Sequence, residues 1–146
     1  MTFDSLRAYL DRLRSKELLT AVEGADWDGE IGAITEVVAM SKAPRALLFD
    51  RIKGYGPGWR VATNLYSSPR LQALALGLPD DVSPVEAVAS WREKSRAHTP
   101  RPPRVVKDGP VRDHVQTGDQ VDLLKFPSPF WHEFDGGRFF GTGCVV

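Results

Sequence analysis

The sequence has few of the residues that build disulfide frameworks or metal clusters. Its 146 residues include one cysteine, Cys144, and three histidines. A single cysteine forms no internal disulfide and cannot make a metal cluster alone. Cys144 alternates with Thr142 and Val146, and no neighbour is visible that would stabilise a thiolate, so we expect a buried, inert thiol. These absences favour a reduced, cytoplasmic location.

Long apolar runs and an excess of either charge are also missing. The longest uncharged apolar stretches, such as residues 37–40, are far too short to cross a bilayer. Asp4 and Arg7 interrupt the first apolar residues, so we expect no signal peptide. Lys and Arg together number 19, as do Asp and Glu, and the net charge is therefore zero. The sequence predicts no transmembrane segment and no nucleic-acid partner.

A locally basic stretch lies in the second half of the chain. It consists of Arg92, Lys94, Arg96, Arg101, Arg104 and Lys107. Because few aromatic residues are interleaved and the net charge is zero, we interpret this stretch as a solvated helix end and linker rather than a nucleic-acid site.

The sequence does have enough apolar residues for a core. Hydrophobic residues make up 42% of the chain, and its length suits one domain, or one small domain plus part of another. Helices are predicted over residues 3–18 and 30–40 and after Ser68 and Ser83, and strands over 18–22, 46–49 and 60–64. This alternation predicts an α/β (mixed α+β) fold, with the last two strands as a hairpin or neighbouring pair.

Local signals mark the ends of the third and fourth helices. Ser68 is the expected N-cap of the third, with Pro69 at its first position and Gly77 just beyond its end. Ser83 and Glu86 form an expected capping box at the start of the fourth. For the second helix, Asp28 is the expected cap. Its expected buried stripe consists of Ile31, Ile34, Val37 and Val38.

A proline-rich linker follows the fourth helix. Residues 98–104 contain Pro100, Pro102 and Pro103, which favour extended polyproline geometry and exclude helix. The pattern then changes to strands, which are expected over residues 105–106, 111–115 and 121–126. We therefore predict an α/β domain of residues 1–104 and a second unit of residues 105–146.

The C-terminal residues hold the strongest candidate for ligand contact. Asp135-Gly136 predicts a tight turn that leads into a strand. In that strand, Gly141 and Gly143 flank Thr142, a pattern typical of a place where a ligand or another backbone comes close. A bulge or a barrel corner explains the glycines equally well. The Thr142 hydroxyl can both donate and accept hydrogen bonds.

Two other patterns favour structural roles. Residues 53–58 are glycine-rich, but they lack the Gly-Lys-Ser/Thr ending of a P-loop and are expected to connect two strands. His132 lies beside Glu133, but no further ligand follows at suitable spacing, and such a histidine is more often structural. No catalytic or metal-binding residue is therefore assigned.

Four groups of residues, in their order along the chain, resemble a known family. They are residues 5–10; residues 46–49 with 53–55; residues 63–69; and residues 126–129 with 135–139. On these motifs the chain resembles the N-terminal part of a UbiD-type carboxy-lyase over its whole length. The catalytic Glu–Arg–Glu set and the metal ligands of such enzymes are expected beyond Val146, so the chain alone is expected to be inactive.

The resemblance implies a reversible, non-oxidative decarboxylase that uses prenylated FMN and acts on an aromatic or α,β-unsaturated carboxylic acid. It also implies Mn2+ and K+ at the flavin phosphate, a flavin prenyltransferase as cofactor supplier, and a homo-oligomer at full length. Residues 105–146 are then expected to begin a split β-barrel that holds the flavin. Thr142 matches a cofactor-facing position, with Gly141 and Gly143 as weaker companions. The alternative function is a non-catalytic subunit or an oligomerisation module.

Overall fold

The computed structural model describes residues 3–141, which form helices around a small sheet. In chain order the elements are α1 (Leu6–Ser15), β1 (Leu19–Glu23), α2 (Glu30–Ala39), β2 (Ala46–Asp50), β3 (Val61–Thr63), α3 (Pro69–Ala75) and α4 (Pro84–Ala97). This confirms the predicted mixed α/β fold. No helix among residues 3–141 is long and apolar enough to span a membrane.

The sheet has three strands in the order β1-β2-β3. β1 pairs in parallel with β2, from Leu19 opposite Ala46 to Glu23 opposite Asp50, and α2 forms the crossover between them. β3 pairs antiparallel with β2, which confirms the expected neighbouring pair. Residues 46–49 are all buried because β2 is the central strand and is covered on both faces.

Side chains alternate along β2 and contribute to two buried clusters. The first contains Tyr9, Leu13, Leu18, Ala46, Leu71 and Leu74, and so joins α1 and α3 to the sheet. The second contains Ala25, Ile31, Leu47, Phe49 and Ile52, with Trp27 and Trp131 packed against it. Trp131 thus brings the C-terminal part of the described chain into contact with the α/β core.

The predicted ends of α3 and α4 are confirmed. The Ser68 hydroxyl accepts a hydrogen bond from the Leu71 amide at 3.3 Å, and Gly77 follows α3 with a φ of 70°. The Ser83 hydroxyl accepts from the Glu86 amide at 3.3 Å, and Glu86 Oε2 accepts from the Ser83 amide at 2.9 Å. The hydrogen bond from the Ser83 hydroxyl is the main cause that lowers the pKa of Glu86 below its ordinary value.

For α2, the predicted cap is wrong and the predicted buried stripe is confirmed except at one residue. The N-cap is Gly29, with a φ of 76°, because the chain turns one residue later than Asp28. Of the predicted stripe, Ile31 is fully buried and Ile34 and Val38 pack against the second buried cluster, but Val37 is 71% exposed. Gly32 and Thr35 also face inward, where they contact backbone and hydroxyl groups.

The strands predicted over residues 105–106, 111–115 and 121–126 are also wrong. This part of the chain has only short 3-10 turns, at Pro110–Arg112, Gly118–Gln120 and Leu123–Lys125. Val105 and Val111 are 93% and 90% exposed. A strand needs a hydrogen-bonded neighbour, and among residues 3–141 no strand follows β3, apart from one isolated bridge described below.

Candidate functional site

Residues 126–131, which we call the docking segment, return from this extended region to the α/β layer. The Phe130 amide donates to the carbonyl of Trp27 at 3.0 Å, and the Gly29 amide donates to the carbonyl of Phe130 at 2.9 Å. Together they form a parallel bridge between Asp28 and Phe130. Main-chain groups at the start of α2 therefore fix the path of the docking segment.

Gly32 in α2 makes this close approach possible. A β-carbon at Gly32 would lie 2.1 Å from the carbonyl oxygen of Trp131, which is much shorter than any real contact. Glycine within a helix costs about 1 kcal/mol relative to alanine. Glycine is nevertheless required here, because only a residue without a side chain lets the Trp131 backbone lie against α2.

Arg138 holds the docking segment from the other side. Its Nε donates to the carbonyl of Ser128 at 2.7 Å, and its Nη2 donates to the carbonyl of Phe126 at 2.9 Å and also to the Tyr55 hydroxyl. The guanidinium carbon lies 4.1 Å from the centre of the Trp27 ring, within cation–π range. One side chain thus links the docking segment to two aromatic residues of the α/β layer.

The loop that carries Tyr55 is fixed in turn by charge and hydrogen bonding. The Tyr55 hydroxyl donates to the carbonyl of Leu124 at 3.1 Å. Lys53 Nζ lies 2.8 Å from Asp26 Oδ2. This hydrogen bond is the main cause that lowers the pKa of the Asp26 carboxyl and raises the pKa of Lys53. The glycine-rich loop therefore has structural contacts, in line with the expected strand connection.

A groove of about 780 Å³ lies between the docking segment and the residues in and after β3. Its aromatic lining consists of Trp59, Tyr66, Phe126, Trp131, Phe139 and Phe140. Phe139 and Phe140 are 49% and 58% exposed, which is unusual for phenylalanine. Gly141 also lines the groove. The groove therefore offers broad aromatic faces of the kind that flat, largely apolar ligands contact.

Polar groups lie among these aromatic rings. Ser128 Oγ and Trp131 Nε1 are buried and have no hydrogen-bond partner within residues 3–141. Nearby, the hydroxyls of Thr35 and Thr63 are 3.0 Å apart, and Asn64 Nδ2 donates to the Thr35 carbonyl at 2.8 Å. Buried polar atoms are normally paired, and these two are exceptions among the described residues.

The residues predicted as ligand contacts have different outcomes. Gly141 lies on the groove, whereas Thr142, Gly143 and Cys144 lie outside the described residues. The turn predicted at Asp135-Gly136 begins earlier: the Asp135 amide donates to the His132 carbonyl at 3.0 Å, and the Asp135 carboxylate accepts from the His132 amide at 3.0 Å.

His132 has acidic neighbours in the fold as well as in the sequence. Its Nε2 lies 3.5 Å from Glu36 Oε2, and its Nδ1 lies 3.7 Å from Asp135 Oδ2. Within residues 3–141, no group of three or more His, Cys, Asp or Glu side chains is placed to hold a metal ion. The contacts of His132 link α2 to the turn after the docking segment.

Sequence reasoning did not assign Gly32, Tyr55 or Arg138 to the site. Arg138 and Tyr55 are 83 residues apart, so no periodicity or spacing connects them. A weak signal existed for Gly32, because a glycine within an apolar helical stripe often marks a close backbone approach. Arg138 follows two glycines and precedes two phenylalanines, but this pattern alone predicts no partner.

Models of protein families match both parts of the chain. Residues 10–91 match the 3-octaprenyl-4-hydroxybenzoate carboxy-lyase N-terminal domain. Residues 104–146 match the Rift-related domain of the same carboxy-lyase.

Two curated relatives extend this match. The chain is 42% identical over 145 residues to a pyrrole-2-carboxylic acid decarboxylase of Pseudomonas aeruginosa, covering 93% of this chain and 29% of the relative. It is 31% identical over 150 residues to a phenolic acid decarboxylase of Streptomyces sp. (strain D7), covering 100% of this chain and 31% of the relative. The chain thus spans about three tenths of the length of these relatives.

Solved structures are similar over nearly the whole chain. The vanillic acid decarboxylase ShVdcCD of Sedimentibacter hydroxybenzoicus, in its open form, is 28% identical with a TM-score of 0.82, covering 94% of this chain and 30% of that one. An evolved dimeric form of the UbiD-class enzyme HmfF from Pelotomaculum thermopropionicum, in complex with prFMN, is 31% identical with a TM-score of 0.67, covering 93% and 30%. The chain belongs to the UbiD family of carboxy-lyases and matches the N-terminal portion of its members.

Proposed function

We propose that this chain is the N-terminal portion of a decarboxylase that uses prenylated FMN to remove CO2 reversibly and without oxidation from a carboxylic acid. Family membership supports this function, as do the names of the curated relatives and the prFMN complex of HmfF. An aromatic acid is the favoured substrate class, because three relatives are named for pyrrole-2-carboxylic, phenolic and vanillic acids. An α,β-unsaturated acid is the second class.

The alternative, a non-catalytic subunit or an oligomerisation module, is not favoured. The curated relatives that cover the chain are themselves named as decarboxylases. ShVdcCD, which is similar to this chain, is a multi-chain complex and is itself named as a decarboxylase. Assembly with other chains is therefore compatible with an enzymatic role for the matched chain.

We assign residues 1–104 to the α/β domain and residues 105–146 to the start of a split-barrel flavin domain. The observation that carries this assignment is the position of Gly141 on an aromatic groove, at the end of a segment held against the α/β layer. A β-carbon at Gly141 would meet no atom within 4 Å, so the groove is open beside this residue. Thr142, with Gly141 and Gly143 beside it, is the proposed flavin contact.

The groove residues suit a flavin. The aromatic rings can contact the flat ring system of the cofactor. When bound, prenylated FMN supplies the electron sink for loss of CO2, while the protein supplies orientation. Mn2+ and K+ belong to the proposal as partners of the flavin phosphate, and no residue of this chain is assigned to them.

The experiment that tests the function compares two proteins: this chain and the full-length protein. Each is expressed with and without a flavin prenyltransferase, and flavin absorbance and CO2 release from aromatic acids are recorded. We expect turnover by the full-length protein only when the prenyltransferase is present, and none by this chain alone. If this chain alone turns over substrate, the proposal that the catalytic residues lie outside it is wrong. If the full-length protein binds no flavin, the proposed function is wrong.

Three further properties belong to the same proposal. They are a homo-oligomeric assembly at full length, a cytoplasmic location, and dependence on a flavin prenyltransferase. Light scattering of the purified full-length protein measures the assembly, and cell fractionation measures the location. A monomer in solution contradicts the first, and recovery with membranes contradicts the second.

A further inference from the structure

We propose that Arg138 is a positioning residue for the flavin: it holds the docking segment and the chain that leads to Gly141 in the arrangement that forms the groove. This inference rests on the proposed function. Arg138 is not a catalytic residue in this proposal, because its contacts are with the protein's own carbonyls and rings.

Arg138 makes several contacts, and they reach two different parts of the chain. Nε and Nη2 reach the carbonyls of Ser128 and Phe126, which belong to the docking segment. The same guanidinium meets the Tyr55 hydroxyl and the Trp27 ring, which belong to the α/β layer. Arg138 therefore fixes the distance between two parts of the chain that have no covalent connection nearby.

The contacts at position 138 require the chemistry of arginine. Arginine carries a planar fork of donors and stacks on aromatic faces, whereas lysine is a point charge without that geometry. Arg138 uses both properties at once. Its N–H groups donate to two carbonyls, and its guanidinium lies over the Trp27 ring. Lysine at position 138 keeps the charge but loses the paired hydrogen bonds and the stacking.

Arg138 lies close to the groove along the chain. Phe139, Phe140 and Gly141 follow Arg138 directly, and all three line the groove. Binding sites need their groups held within about 0.5 Å. A shift of Arg138 therefore changes both walls of the groove, since Phe126 and Ser128 move with it.

The test uses the full-length protein with Arg138→Lys and Arg138→Ala. We measure FMN affinity by flavin fluorescence, and kcat and KM after cofactor loading. Both variants are expected to weaken FMN binding about tenfold, which corresponds to about 1.4 kcal/mol of binding free energy. KM for the carboxylic acid is expected to stay within about twofold, because Arg138 does not contact the substrate in this proposal. Ethylguanidinium is expected to restore FMN binding to Arg138→Ala.

The matched control is Arg14→Ala, which removes a guanidinium that pairs with Asp11 at 2.7 Å on the exposed face of α1. It is expected to leave FMN affinity unchanged. If Arg138→Lys and Arg138→Ala bind FMN within twofold of the wild-type protein, the proposal is wrong. If Arg138→Ala does not fold, Arg138→Lys decides the same question.

Hydrogen exchange separates this inference from the proposed function. The amides of Phe130 and Gly29 are hydrogen-bonded across the docking contact and are expected to exchange about tenfold faster in Arg138→Lys, because loosening the segment opens them. If the wild-type protein binds no flavin but this exchange rises, the proposed function fails, whereas the contact by which Arg138 holds the docking segment stands. If exchange is unchanged, the positioning role fails.

Discussion

At the scale of single residues, the end of α1 has an unfavourable backbone conformation. Glu17 has a φ of 57°, in the left-handed region. Its amide donates to the Arg14 carbonyl at 3.0 Å, and the Leu18 amide donates to the Leu13 carbonyl at 2.9 Å. This is the bonding of a Schellman motif, in which glycine is the usual residue. Because a side chain in this region costs about 1–2 kcal/mol, the exposed Glu17 side chain destabilises the helix end.

Glu17→Gly is therefore expected to stabilise the protein. The gain is smaller than the strain removed, because glycine increases the entropy of the unfolded chain by about 0.4–1 kcal/mol. A net gain of roughly 0.5–1 kcal/mol should raise the urea midpoint at unchanged slope. Gly77→Ala is the matched control at the end of α3, where φ is 70°, and it is expected to lower the midpoint. A lower midpoint in Glu17→Gly contradicts the argument.

Asp80 controls a second residue-scale property, the response to acid. Lys16 Nζ lies 2.7 Å from Asp80 Oδ1, and Arg70 Nη2 lies 2.8 Å from Asp80 Oδ2. These contacts, that of Lys16 first, lower the pKa of Asp80 from 3.8 to about 2. A carboxyl whose pKa is depressed in the folded state stabilises the fold above its unfolded pKa. That stabilisation is lost as pH falls through the range from about 4 to about 2.

Asp80→Asn is expected to lower stability at neutral pH and to reduce the loss of stability on acidification. The measurement is urea unfolding of both proteins at several pH values between about 7 and about 2. The wild-type and variant curves should converge at the acid end, because Asp80 is protonated there. Parallel curves over the whole pH range show that Asp80 does not carry this pH dependence.

At the scale of secondary-structure elements, the contact between α2 and the docking segment depends on the absence of one side chain. Alanine normally favours a helix over glycine by about 1 kcal/mol. At position 32 its β-carbon meets the backbone of Trp131 at 2.1 Å, and backbone cannot rotate away as a flexible side chain does. The clash therefore displaces the docking segment or strains α2.

We expect Gly32→Ala to destabilise the protein by about 1–3 kcal/mol, the range for overpacking in a close contact. Amide exchange at Gly29 should rise, because its bond to Phe130 crosses the same contact. Ala33→Gly is the control at the adjacent, exposed position. It should cost about 1 kcal/mol through helix propensity alone and leave the Gly29 amide protected. Unchanged protection in Gly32→Ala contradicts the geometry.

Elements differed in how well the sequence predicted them. The ends of α3 and α4 were predicted correctly because Ser68, Gly77 and the Ser83–Glu86 box act through residues within one turn. Residues 111–115 were predicted as a strand and are not one, because apolar alternation creates a strand only where a neighbour supplies hydrogen bonds. β2 was predicted correctly because a continuous apolar run is typical of a strand that is buried on both faces of the sheet.

At the scale of the whole molecule, a long exposed connection joins two parts that contact each other again. Residues 101–125 are exposed almost throughout, whereas the docking segment and Arg138 lie against the α/β layer. The candidate site could be predicted only in part. The local glycine pattern indicated Gly141, which lines the groove, and its contact with a flavin stays a prediction. The contacts of Arg138 with Tyr55 and Trp27 join residues that are distant along the chain, and only tertiary packing brings them together.

Limited proteolysis tests this arrangement. Trypsin is expected to cut first after Arg104 and Lys107, because both lie in exposed, irregular chain. The two fragments should still elute together in gel filtration, because the docking contact holds them. In Gly32→Ala the fragments should separate more readily. Early cleavage within α1 or β2, or separate elution of the wild-type fragments, contradicts the arrangement.

The contact between α2 and the docking segment has an evolutionary consequence. The bonds at Phe130 use main-chain atoms on both sides, and the contact at Gly32 involves the Trp131 backbone. Docking of this kind recognises the path of the chain rather than its side chains. The groove-lining side chains of Phe126, Pro127 and Pro129 can therefore be exchanged while their backbone stays in place. Substitutions in this wall can therefore change the lining of the groove without rebuilding the frame that supports it.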